Sequence, residues 1–100
     1  MMEQLTSKQK SHLRSLGQNL KPLCIIGKAG LTESLKHNID ALLEQHELVK
    51  VRIPAGPGPQ REATAEELAS SASAELVGVI GRTVLLYRPS PKLARRIALP

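Results

Sequence analysis

Between an apolar run, Pro22-Leu23-Cys24-Ile25-Ile26, and a helix-capping residue, Thr32, lies the tetrapeptide Gly27-Lys28-Ala29-Gly30. Glycines at both ends let the main chain come close to a ligand with no Cβ in the way. A helix starting just beyond offers free N–H groups and the positive end of its dipole. With Lys28 as a mobile cation at the tip, the chemistry this spacing suits is phosphate binding. The same four residues also fit an ordinary turn from strand to helix, and at this point both readings stand. A nucleotide-binding P-loop is excluded, because it needs a glycine five residues before its Gly-Lys and a hydroxyl residue after the lysine. Those positions hold Pro22 and Ala29.

The chemical use that remains is the one KH domains make of a G-x-x-G loop, which clamps nucleic-acid backbone rather than a free nucleotide. The charge agrees: Lys and Arg number 14 against 9 Asp and Glu, the net charge is +5 and the sequence pI is near 9.8. Such a balance favours polyanions, either nucleic acid or an anionic membrane face. From Leu76 to Pro100 the chain has five basic residues (Arg82, Arg88, Lys92, Arg95, Arg96) and no acid, while Glu62, Glu66, Glu67 and Glu75 cluster just before. A basic side and a more acidic side are therefore expected. Lys8, Lys21 and Lys36 flank the glycine loop in sequence, and Lys50, Arg52, Arg82 and Arg88 fall on strands that could share a sheet. Singly, each reads as a solvated charge; together they supply contacts to several phosphates. Tyr87 is the only aromatic residue, which argues against stacking bases on aromatic platforms and for recognition of backbone and shape. Tyr87 itself reads as a packed residue.

Catalysis finds no foothold. His12, His37 and His46 have no i,i+4 pairing, no neighbouring cysteine set and no carboxylate grouping of metal-ligand type, no Gly-x-Ser-x-Gly elbow occurs, and the glutamates read as one solvated helix face. No cofactor, metal or small-molecule substrate is expected. The single cysteine, Cys24, reads as a small buried hydrophobe. The opening residues carry no signal-peptide pattern, and no window approaches the ~18 apolar residues of a membrane span. A cytoplasmic protein without a membrane partner is expected.

Positioning the loop requires elements around it. Thr6 and Gln9 form a capping-box pattern at the head of a first helix that carries Leu13, Leu16 and Leu20 on one face and stops near Gly17. Pro22–Ile26 reads as a short buried strand. After Thr32, the residues Leu35, Ile39, Leu42, Leu43 and His46 recur at helical spacing, leaving Lys36, Asp40 and Glu44 outside. Leu48–Ile53 alternates as a half-buried strand with Lys50 and Arg52 outward. Pro54–Pro59, with three prolines, is a loop. A weakly packed helix runs from Gln60 to about Ser73, with Ala63, Leu68, Ala69 and Ala72 inward and Thr64 and Glu67 as an internal capping pair. Leu76–Ile80 and Thr83–Arg88 pair as a hairpin through Gly81-Arg82. A basic, loosely held tail follows Pro89. The order α-β-α-β-α-β-β makes a single α/β domain over residues 1–100, its core about 5–90. Two layers are expected, with helices packed on a small mixed four-stranded sheet.

Three blocks together resemble a known family. Gly27-Lys28-Ala29-Gly30-Leu31-Thr32-Glu33, His46-Glu47-Leu48-Val49-Lys50-Val51 and Val79-Ile80-Gly81-Arg82-Thr83-Val84-Leu85-Leu86-Tyr87-Arg88 look like the signature of the YhbY-type RNA-binding domain. Leu5–Arg14 and Leu20-Lys21-Pro22 fit its first helix and strand, so the resemblance covers roughly Leu5 to Leu99. It implies a fold like the C-terminal domain of a bacterial translation initiation factor and RNA binding through the glycine loop and a basic surface. For stand-alone bacterial members it implies association with precursors of the large ribosomal subunit. In plants the same domain occurs inside organellar intron-splicing factors. The Pro54–Pro59 loop and the Ala/Ser-rich third helix depart from the family pattern.

The expected function is therefore non-catalytic binding of large-subunit precursor rRNA by a monomer, in support of ribosome assembly. The alternative is a protein-interaction adaptor whose basic face meets an acidic protein, using the third helix and the proline loop. An unrecognised small-molecule enzyme is a third class, and it would need a pocket with convergent polar groups.

Overall fold

A computed structural model describes residues 5–27, 30–54 and 58–90. The first helix, α1 (Ser7–Gly17), starts as its capping box dictates: the Gln9 amide donates to Thr6 Oγ1 (3.1 Å) and the Thr6 amide to Gln9 Oε1 (3.0 Å). The second, α2 (Glu33–His46), is capped by Thr32, whose Oγ1 accepts from the Leu35 amide at 3.1 Å, and it ends on Glu47 at a positive φ of 62°. The third, α3, is Gly58–Ser71. The strands are β1 (Cys24–Ile25), β2 (Leu48–Arg52), β3 (Glu75–Ile80) and β4 (Thr83–Tyr87), so the expected element order is found.

The strands form one sheet in the order β1-β2-β4-β3, with β1 parallel to β2 and β4 antiparallel to both its neighbours. One face carries the main core. There Ile39 and Leu43 of α2 and Ala65, Leu68, Ala69 and Ala72 pack on Cys24, Val49, Val51, Val84 and Leu86. The opposite face carries a smaller cluster, in which Leu13 of α1 meets Leu48, Val77, Leu85 and Tyr87. The two-layer expectation thus describes the main core, and α1 adds a partial third layer. Its seat is Gly17, where a Cβ would lie 2.7 Å from Leu85 Cδ2. Nearby, Arg14 lies over Gly78 and donates from Nε to the Val77 carbonyl at 3.3 Å. The register shift between Leu76 and Gly78 marks a bulge, and buried Val77 belongs to the α1-side cluster.

Several local expectations need correction. Leu16 and Leu20 do not join Leu13 in the core but stay exposed, because α1 covers only part of its face of the sheet and Leu20 lies beyond the helix. In α3 the buried phase is Ala65, Leu68 and Ala69, continued by Ala72 just past its end, and Ala63 is exposed. Alanines spread around a helix give little contrast from which to read a face, so docking decides. Thr64 makes no capping pair with Glu67; its hydroxyl donates one turn back to the Gln60 carbonyl at 3.0 Å. Cys24 is buried and Tyr87 is packed, as expected. The basic tail and residues 55–57 of the expected Pro54–Pro59 loop lie outside the described residues, and Gly58 and Pro59 belong not to the loop but to the first turn of α3, where proline's missing amide costs no helical hydrogen bond. The last described residue, Ser90, is anchored: its amide donates to Glu47 Oε2 (2.6 Å) and its hydroxyl to the Glu44 carbonyl (2.8 Å).

Candidate nucleic-acid interface

Because β1, β2 and β3 run in one direction and β4 in the other, the carboxyl ends of three strands and the start of β4 share one end of the sheet. The glycine loop, the β2–α3 connection and the Gly81-Arg82 turn all leave from that end. In the glycine loop the Gly30 amide donates to the Gly27 carbonyl (3.1 Å), and Gly30 has a φ of 73°, which a side chain would strain. The turn to α2 follows at once, with the Thr32 amide donating to the Gly30 carbonyl at 3.2 Å. By helix geometry the first amides of α2, on Glu33 and Ser34, have no intrahelical acceptor. The loop is tied to its neighbours through main chain: the Ile26 amide donates to the Arg52 carbonyl and the Ile53 amide to the Arg82 carbonyl, both at 2.8 Å. Gly81 has a φ of 58°, the left-handed value a two-residue hairpin connection asks of a leading glycine.

Of the expected contact residues, Gly27, Gly30, Arg52 and Arg82 converge here, with Arg52 and Arg82 both exposed. Lys28 and Ala29 lie outside the described residues. Lys50, half-buried, sits two residues before Arg52 on the same face of β2, and with Lys21 it lines a groove of about 410 Å³ beside Leu16, Leu20, Leu23, His46 and Leu48. Lys36 stands one turn into α2, 3.7 Å from Glu33. Lys8 is exposed in the first turn of α1, and no contact among the described residues joins it to the loop end.

Arg88 is placed differently. It stands just past β4, at the opposite end of the sheet, with its side chain only 16% exposed. Nη1 donates to Asp40 Oδ1 (2.8 Å) and the Ala72 carbonyl (2.7 Å), and Nη2 to the Asp40 carbonyl (3.2 Å) and Glu44 Oε1 (3.4 Å). Its charge is committed to joining α2, the end of α3 and β4. The structure does not bring it to the loop end.

One basic residue there escaped the sequence reading. Arg61, in the first turns of α3, donates from Nη1 to the Gly81 carbonyl at 3.0 Å and lines a small cleft with Glu62, Val79 and Gly81. It was hidden because nothing local says that α3 begins over the hairpin turn. The acids separate along the strand axis: Asp40, Glu44, Glu47 and Glu75 belong to the far end, while Glu33 and Glu62 are the acids at the loop end. The two sides expected from sequence are not drawn that way: Glu62 stands beside Arg61 at the loop end, Arg88 lies among the acids of the far end, and the basic tail is outside the described residues.

A mixed sheet with a G-x-x-G loop between its first strand and a capped helix, and basic residues gathered around that loop, defines a class of small α/β domain. The chain matches the CRS1 / YhbY (CRM) domain over residues 5–88 and belongs to that family. It is 38% identical over 88 residues to the Probable RNA-binding protein PA4753 of Pseudomonas aeruginosa, covering 88% of this chain and 85% of that one. To the Probable RNA-binding protein YqeI of Bacillus subtilis it is 36% identical over 96 residues, covering 96% and 99% of the two chains. The solution structure of the hypothetical protein SAV1595 from Staphylococcus aureus superposes with a TM-score of 0.84 at 42% identity, covering 96% of this chain and 99% of that one.

Proposed function

We propose that this protein binds RNA at the loop end of its sheet, without catalysis and without a cofactor, and that its target is large-subunit precursor rRNA during ribosome assembly in the cytoplasm. The observation that carries the reading is the convergence of Gly27, Gly30, Arg52, Arg82 and Arg61 on one end of the sheet, where main-chain hydrogen bonds link the glycine loop, β2 and the hairpin and the Arg61 side chain donates to the Gly81 carbonyl. The names of the relatives add weight to RNA as the partner. The glycine loop and the head of α2 take backbone phosphates, Lys28 supplies a further positive charge, and the arginines of β2, the hairpin and α3 extend the contact. Lys21 and Lys50 widen it along the α1 side, and Lys36 adds a cation near the head of α2. The protein acts as a monomer, as one domain.

The test is binding of precursor rRNA by wild type and by a Lys28→Ala, Gly30→Asp double variant across a salt series, after both are shown to be folded. A steep salt slope for wild type, near 0.7 to 0.9 in log-log magnitude per phosphate, and weaker binding with a shallower slope for the variant support the clamp. Equal binding by both would leave the loop a simple turn and the basic face free for an acidic protein.

A further inference from the structure

The five large exposed apolar side chains among the described residues, Leu16, Leu20, Leu23, Ile25 and Ile80, all lie on the α1 side of the sheet. Two of them do not flank the α1 groove but stand beside the phosphate end. Cys24 and Ile26 turn into the main core, so the alternation of the strand sends Ile25 to the other face. Val79 packs on the main core and sends Ile80 the same way. The register then sets one row across all four strands: Ile25 beside Arg52, Arg52 beside Thr83, Thr83 beside Ile80. Ile25 is 64% exposed and Ile80 55%, and α1, seated one row away over Leu85 and Gly78, leaves them uncovered. Three strand spacings make the row roughly 14 Å wide.

Two bare isoleucines on either side of an arginine, at the mouth of a phosphate-binding loop, ask for a ligand that is flat and apolar in one part and anionic in another. Nucleotides with unpaired bases have that composition. A duplex does not, because its base faces are stacked inside and only phosphates, sugars and groove edges reach the surface. We infer that two or three unpaired nucleotides lie across the Ile25–Arg52–Thr83–Ile80 row, their bases covering the isoleucines while adjoining phosphates meet Arg82 and the head of α2. No acid occupies the row. The guanidinium of Arg52 offers a plane on which a base can stack, so recognition of unpaired bases needs no aromatic platform. This inference rests on the RNA-binding reading and adds to it the kind of RNA and the surface that reads it.

The experiment compares two fluorescent probes, an unstructured RNA of about ten nucleotides and a blunt RNA duplex of the same length, titrated with wild type, an Ile25→Ala, Ile80→Ala double variant, an Ile25→Leu, Ile80→Leu double variant, and the Lys28→Ala, Gly30→Asp protein. Wild type should prefer the unpaired probe. The alanine variant should lose roughly ten-fold in affinity for that probe, as expected for the apolar area removed, with its salt slope and duplex affinity unchanged. The leucine variant, which keeps the area, should bind as wild type does. The loop variant should weaken on both probes. If the alanine variant binds the unpaired probe like wild type, or loses affinity for both probes equally, the inference falls while RNA binding stands. If wild type binds neither probe, the RNA-binding reading falls and takes the inference with it.

Discussion

Arg52 and Arg88 are both strand-associated arginines, yet their surroundings give them opposite work. Arg52 is exposed on the α1 side, and among the described residues no acid pairs with it. Arg88 is mostly covered and shares its donors among Asp40, Glu44 and the Ala72 carbonyl. Removing Arg88 leaves a carbonyl and a half-covered carboxylate without their charged donor, a loss of about 1.5 to 3 kcal/mol. Arg88→Ala should therefore lower the denaturation midpoint with little effect on RNA affinity of the folded protein. Arg52→Ala should leave the midpoint in place, weaken RNA binding and reduce the salt slope by about one phosphate equivalent. A swap of those two outcomes, measured by denaturant titration and by binding at several salt concentrations, would place Arg88 in the interface. Sequence could not separate the two residues, because each is a basic residue near an alternating apolar strand, and the acids that hold Arg88 lie 44 and 48 positions away.

At the scale of elements, what was legible followed from local chemistry. The caps at Thr6 and Thr32, the leucine and isoleucine face of α2 and the glycine at the hairpin each rest on a few neighbouring residues, and each is found, whereas His46, expected on that face, is exposed at the helix end and Glu44, expected outside, is partly covered by Arg88. What was not legible depends on docking: the phase of the alanine-rich α3, the position of Arg61 over the hairpin, and how much of the sheet α1 covers. The last matters most for function, since α1 ends at Gly17 and leaves the outer row of the sheet open. The packing of Gly17 on Leu85 allows a test of that seat. A valine there must displace a buried side chain that a Cβ alone already crowds, at a cost of roughly 1 to 3 kcal/mol. Gly17→Val should lower the midpoint of thermal unfolding; no change, or a gain, would mean that α1 is not held by this contact.

For the whole molecule, strand direction organises charge. The connections that leave the carboxyl ends of β1, β2 and β3 carry the glycine loop, Arg61 and Arg82, with Arg52 closing β2. The other end is closed by the Arg88 ion pairs and by Ser90 on the buried Glu47 carboxylate. One end thus holds the fold together and the other gathers the exposed basic residues of the proposed interface, a division that net charge alone does not reveal. The most direct measurement is a map of backbone amide shifts as a fragment of large-subunit precursor rRNA is titrated into the labelled protein. Shifts should cluster at Gly27, Gly30, Ser34, Arg52, Gly81, Arg82 and Thr83, with Leu43–Leu48 and Arg88–Ser90 still. Shifts gathered around Arg88 and Glu47 instead, or none anywhere at saturating RNA, would contradict an RNA interface at the loop end of the sheet.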